Sequence, residues 1–138
     1  MAIPVLKPTN FTLTVDLPTT SFADAVTKVT EALASEGFGI LTEIDIKTTM
    51  KEKLDVDERD YIILGACNPK LALSALSSLP AIGLLLPCNV VVASDDKAGS
   101  TVGIIDPVAM FSMVDVEGFT SFAKEVREML NRVLQGLT

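Results

Sequence analysis

The sequence predicts an α+β domain built around a five-stranded sheet. Its elements run strand, helix, four strands carrying two short inserted helices, then a long helix. Three observations carry this. Five short stretches have strand patterning, and three of them are apolar on both faces. Two longer stretches carry a helical apolar stripe. The 138 residues suit one domain of roughly 100–150 residues, and no repeat, linker or low-complexity tract divides them, so residues 1–138 read as a single domain.

The first strand is Phe11 to Val15, where Phe11, Leu13 and Val15 alternate with Thr12 and Thr14 before Asp16-Leu17-Pro18 ends it. A helix follows from Phe22 to Glu36. Ser21 is its expected N-cap, with Asp24 three residues on. Phe22, Val26, Val29 and Leu33 make its apolar stripe. Gly37 suits the left-handed position after the helix, from which Phe38 can fold back onto the last turn. Strand two is Gly39 to Ile46. Strict alternation puts Ile40, Thr42, Ile44 and Ile46 on one face and Leu41, Glu43 and Asp45 on the other. Lys47 to Leu54 is a short helix, and the charges from Lys47 to Asp60 read as that helix and a solvated turn. Strand three is Tyr61 to Ala66. Asn68 and Pro69 suit the N-cap and first turn of a helix reaching Ser78. Strand four is Asn89 to Ala93, Ser94 to Ser100 is a turn, and strand five is Thr101 to Asp106, stopped by Pro107. The final helix runs from Phe119 to Leu134, with Phe119, Phe122, Val126, Met129 and Val133 on one stripe and Lys124, Glu125, Arg127, Glu128 and Arg132 on the wet side.

Two amphipathic helices cover only one face of such a sheet, yet strands three, four and five are apolar on both. The second face needs cover from the inserted helices, a second subunit or a ligand. The composition points the same way: 49% hydrophobic residues and a mean hydropathy of +0.44. The longest apolar run, Ala81 to Leu86, is far below the roughly 20 residues of a membrane span, so no membrane is expected as a partner. The opening residues lack the charged start and apolar stretch of a secretory signal. A cytoplasmic location is therefore expected, and Cys67 and Cys88 are expected as free thiols.

The chain has 18 acidic and 11 basic side chains, no His and two Cys. A net charge of −7 argues against nucleic acid, which needs clustered positive charge. Without His there is no catalytic triad. Gly37-x-Gly39 and Gly99-x-x-x-Gly103 lack the Lys-Ser/Thr of a phosphate loop. Glu43 and Asp45 share a strand face and could act as a carboxylate pair, though exposed strand acids do so without function. Met110, Phe111 and Met113 suit core filling or, second, a subunit contact.

Three segments carry a family resemblance: Gly37-Phe38-Gly39-Ile40-Leu41-Thr42-Glu43-Ile44-Asp45-Ile46-Lys47; Tyr61-Ile62-Ile63-Leu64-Gly65-Ala66-Cys67-Asn68-Pro69; and Ile82-Gly83-Leu84-Leu85-Leu86-Pro87-Cys88-Asn89-Val90-Val91-Val92. Together they resemble the domain-of-unknown-function family numbered 302. The resemblance implies a fold related to half of the TATA-binding protein, with a curved, mainly antiparallel sheet. It implies no activity and no catalytic residue. The TATA-binding relatives grip DNA on the open sheet face, which here would offer Leu41, Glu43 and Asp45 to phosphate.

Cys67 ends strand three and Cys88 precedes strand four, a spacing unlike a Cys-x-x-Cys box. If those strands are antiparallel neighbours, both thiols lie at one end of the sheet. A parallel crossover would put them about 20 Å apart. The resemblance favours the first. Cys67 also stands before a helix N-terminus, which favours a thiolate. Asn68 has a duty as cap, whereas Asn89 has none and is the better ligand contact. Both Cys could equally be small buried apolar residues.

The expected site is therefore Cys67, Asn68, Cys88 and Asn89, with Glu43 and Tyr61 on the adjoining face. The leading expectation is a homodimeric binding module taking a small ligand or soft metal there. No cofactor is required for folding. Copper or zinc suits thiolates, but zinc wants four ligands, and Glu43, Asp45 or a second subunit would have to supply the rest. A thiol redox or sulfur-transfer protein using Cys67 and Cys88 is the second expectation, and an interaction module without chemistry the third.

Overall fold

Alternation along each strand decides which side chains enter the core. A computed structural model describes residues 1–138. Its strands are β1 (Thr12–Leu17), β2 (Gly39–Asp45), β3 (Tyr61–Cys67), β4 (Cys88–Ser94) and β5 (Ser100–Ile105). They form one open sheet in the order β1-β5-β4-β3-β2, antiparallel throughout. The helices are α1 (Phe22–Ser35), α2 (Ile46–Leu54), α3 (Pro69–Ser78), α4 (Pro107–Met110) and α5 (Phe119–Gln135). The element order is the expected one, with α4 and two 3-10 turns, Pro80–Leu85 and Phe111–Met113, added.

The long helices start and stop where their sequence directs. Ser21 Oγ accepts from Asp24 N at 3.2 Å, a cap worth about 1 kcal/mol. At the other end Gly37 has φ +86°. Phe38 N donates to Leu33 O and Gly37 N to Ala34 O, the two bonds that close a helix around a left-handed glycine. Phe38 is thereby folded into the core. α1 buries Ala25, Val29 and Leu33, and α5 buries Val126, Leu130 and Val133. Both stripes pack on Leu64, Val90, Val92, Val102 and Ile104 from one face of the sheet.

β2 departs from strict alternation. Ile40 pairs with Ala66 but Thr42 pairs with Gly65, so Leu41 is an extra residue at a β-bulge. The faces therefore swap within the strand. Ile40 points with Ala66 into the core, whereas Thr42 and Ile44 stand with Gly65 and Ile63 on the opposite face. Glu43 sits opposite Leu64 on the helix side and is exposed. This corrects the expected grouping of Leu41, Glu43 and Asp45 on the open face. A bulge in an edge strand also discourages pairing with another sheet edge.

Part of the second sheet face is covered from within the chain, by a segment with no recognisable pattern. Residues 1–10 form a strap whose start is tied down by adjacent residues. Ala2 N and Ile3 N donate to the two carboxylate oxygens of Glu58, each at 2.8 Å. Arg59 Nε donates to Ile3 O at 2.8 Å. Further along, Leu6 crosses Gly103: a Cβ there would stand 3.1 Å from Leu6 Cδ2, so glycine lets the strap lie close to β5. Glu58 and Arg59 are buried, which corrects the reading of this stretch as a solvated turn.

The strap carries a pH dependence. The N–H groups of Ala2 and Ile3 hold the Glu58 carboxyl below the usual glutamate range. The folded chain thus releases the Glu58 proton more readily than the unfolded one. Its stabilisation is complete above about pH 4.3, the unperturbed value, and is lost as pH falls through the lower folded value. Exchange protection of the Ala2 and Ile3 amides is expected to fall as pH drops below the ordinary glutamate range, and Glu58→Gln to remove that step. Protection independent of pH in the native chain would contradict it.

Candidate functional site

Cys67 closes β3 and Cys88 opens β4. Their strands are antiparallel neighbours, and Ala66 pairs with Cys88. Both thiols consequently lie at one end of the sheet and line one cavity. Its walls come from three directions: Phe38 and Ala66 from the sheet side, Leu71, Ala72 and Ala75 from α3, and Phe111, Phe122 and Val126 from the region of α4 and α5. α3 is placed there by its cap. Asn68 Oδ1 accepts from Leu71 N at 3.4 Å, while its Nδ2 donates to the Glu36 carbonyl at 3.3 Å. One side chain thus starts α3 and fastens it to the end of α1, which leaves little of Asn68 free for a ligand.

The cavity is apolar and small. Its volume is about 30 Å³, room for about one or two waters. With Asn68 engaged, its chemically available groups are the two sulfurs, neither in a disulfide. Burial, and then the neighbouring Cys67, push the Cys88 thiol up to about 11, so near neutral pH it is a protonated, weakly nucleophilic thiol. Cys67 is only half-buried.

That difference is measurable. Alkylation at pH 7.5 followed by peptide mapping is expected to label Cys67 first. Labelling of Cys88 should rise about tenfold per pH unit without levelling off up to pH 10, because the thiolate fraction keeps growing below the pKa. Equal labelling of both at neutral pH, or a Cys88 plateau near pH 9, would contradict this environment.

The remaining expected site residues lie elsewhere. Asn89 follows Cys88 in the strand and faces the other side of the sheet, opposite Gly65. Tyr61 begins β3, six residues from Cys67, about 20 Å along the strand, and pairs with Ala93. Both line a groove beneath the strap. Glu43 lines neither space. The structure thus brings together Cys67, Asn68 and Cys88, and separates Asn89, Tyr61 and Glu43 from them. Sequence reasoning missed the aromatic wall, in which the rings of Phe111, Phe119 and Phe122 meet at 5.9–6.0 Å between centroids. The apolar Met110-Phe111 pair and the α5 stripe were its only signals.

No group of three or more His, Cys, Asp or Glu side chains is placed to share a metal ion. No helix is long and apolar enough to cross a membrane.

Comparison with known proteins agrees with this architecture and assigns no chemistry. A search of curated proteins finds no match. The crystal structure of an uncharacterized conserved DUF302 protein from Bacillus stearothermophilus superposes with a TM-score of 0.85 at 26% identity, over 94% of this chain and 100% of that one. The family model described as "Domain of unknown function DUF302" matches residues 13–137. With nearly the whole length matched by the family model, the chain belongs to the DUF302 family.

Proposed function

We propose that this protein is a binding module for one soft, thiophilic ligand held between Cys67 and Cys88, with copper(I) as the ion its donors suit. The observation that carries this is that two thiols from neighbouring strands line one apolar cavity whose other polar side chain, Asn68, is already bonded. Soft sulfur donors select soft ions. The cavity volume suits an ion and is far below the roughly 300 Å³ of a small-molecule pocket. Zinc would want four ligands, and this chain places no third donor nearby. Binding must displace the thiol protons, so affinity rises with pH.

Anaerobic titration with copper(I) against a chromophoric competitor tests this. One equivalent per chain is expected in the native protein. Cys67→Ser and Cys88→Ser should each weaken binding about 100-fold. Failure to draw copper(I) from the competitor, or full binding by Cys88→Ser, would overturn it.

A second reading, an interaction module acting as a homodimer, is favoured by one observation. Leu84 is 89% exposed, Met113 72% and Leu73 68%. The first two edge an apolar groove that also includes Leu79, Ile82 and Leu85. Light scattering tests this reading: the native chain is expected as a dimer and Leu84→Glu as a monomer, and a monomeric native chain would overturn it.

A further inference from the structure

We infer a second binding site, for a small flat apolar carboxylate, in the groove between the strap and the open face of the sheet. The floor is formed by Val91 of β4 and by Gly103 and Ile105 of β5, and Leu6 of the strap and Phe11 just after it wall it. The groove offers about 300 Å³, the size of a small-molecule site, against about 30 Å³ at the thiols. Two features of the backbone create it. The pleat turns Asn89 away from Cys88 and onto this face. Gly103 has no Cβ, so the strap runs close above β5 and leaves a slot on the β4 side.

The polar groups around this apolar floor define the ligand. Tyr61 and Asn89 line the groove and bond to no other side chain or backbone group, although no buried polar atom in the chain lacks a partner. Their hydroxyl and amide are therefore open to solvent at the groove wall. Lys7 is the one charged residue lining it. In a chain of net charge −7, a groove with a single cation and no carboxylate is selective: it repels nothing anionic at close range and pairs one negative charge. A phosphate dianion would call for several donors around it, whereas a monocarboxylate is matched by one ammonium, with Tyr61 and Asn89, about 13 Å apart along the strands, lining opposite ends of the apolar floor. The flat floor takes the apolar body. The site shares no lining residue with the thiol cavity, so it stands or falls independently of the proposed thiol chemistry.

Tyr61 is the only tyrosine and there is no Trp, so intrinsic emission comes from a residue lining this groove, and the Lys7 and Asn89 variants localise the quencher. Titration with 2-naphthoate, and with the neutral 2-naphthamide as control, is the test. Naphthoate is expected to quench Tyr61 emission saturably at one per chain and to bind at least tenfold tighter than the amide. Lys7→Gln should remove that preference, and Asn89→Ala should weaken naphthoate severalfold, with both variants melting within a few degrees of the native chain. Cys88→Ser should bind naphthoate as the native protein does. No saturable quenching up to 1 mM, equal binding of acid and amide, or an unchanged preference in Lys7→Gln would overturn the inference. A Lys7→Gln chain that fails to fold is replaced by native protein at rising salt, where the acid preference must shrink and the amide must not change.

Discussion

Replacing Arg59 with Met is expected to lower the unfolding free energy by about 3 kcal/mol and to free the strap. Arg59 is 7% exposed and its guanidinium makes three bonds to three separate parts of the chain. Nε donates to Ile3 O at 2.8 Å, Nη1 to Ser94 O at 2.9 Å and Nη2 to Asp96 at 2.8 Å. It is therefore the clamp joining the strap, the end of β4 and the turn into β5. Met fills similar volume but leaves two carbonyls short of a donor, at about 1–3 kcal/mol each when buried. The Asp96 pair adds little, because Asp96 is exposed. Two readouts separate this from a general loss of stability. The denaturant midpoint should fall, and cleavage within residues 1–10 by a dilute protease should become rapid under conditions where the rest of the chain resists. Lys at this position keeps the charge without the planar fork and should recover less than half of the loss. A strap still protected in Arg59→Met would show that Glu58 and Leu6 suffice to hold it.

Arg59 also marks where the sequence ceased to be legible. Elements that carry their own signal were read correctly: the α1 stripe between Ser21 and Gly37, the Asn68-Pro69 start of α3, the long stripe of α5. Each is a local pattern with a local physical cause. Glu58 and Arg59 sit in a run of charges without periodicity, and nothing local distinguishes a buried clamp from a solvated turn. The strap is illegible for the same reason, since its role comes from what it crosses. The bulge at Leu41 inverted the faces of β2 because one extra residue defeats any argument from alternation. The split between Cys88 and Asn89 was, by contrast, within reach. Neighbours in a strand face opposite ways, and starting β4 at Cys88 instead of Asn89 was enough to separate them. The cover demanded by the two-faced strands was correctly required; part of it comes from the chain's own first ten residues, a source that patterning of helices and strands could not reveal.

Side-chain truncations in the two clusters that α5 joins should differ in kind, because that helix serves two cores. Its C-terminal half contributes Val126, Leu130 and Val133 to the main core, against α1 and the sheet. Its N-terminal half contributes Phe119 and Ala123 to a smaller cluster with Ala75, Ile82 and Phe111. Leu130 is fully buried among strands and both long helices, so Leu130→Ala leaves a cavity that no single element can collapse to fill. It should cost about 3–5 kcal/mol, in the upper part of the range for such changes, and lower the melting temperature by about 10–20 °C in a chain of this size. Phe111→Ala removes a larger side chain, but from the satellite cluster that closes the thiol cavity. There α3 and the 3-10 turn after it can settle inward, so the cost should be nearer 3 kcal/mol. The second effect is local: amides of α3 should exchange faster while those of β4 keep their protection, and alkylation of Cys88 at neutral pH should quicken because its wall is gone. In Leu130→Ala both sets of amides should weaken together. If Phe111→Ala instead loosens β4 and α3 equally, the two clusters open as one cooperative unit, and the thiol cavity is not the separable part of the molecule that its packing describes.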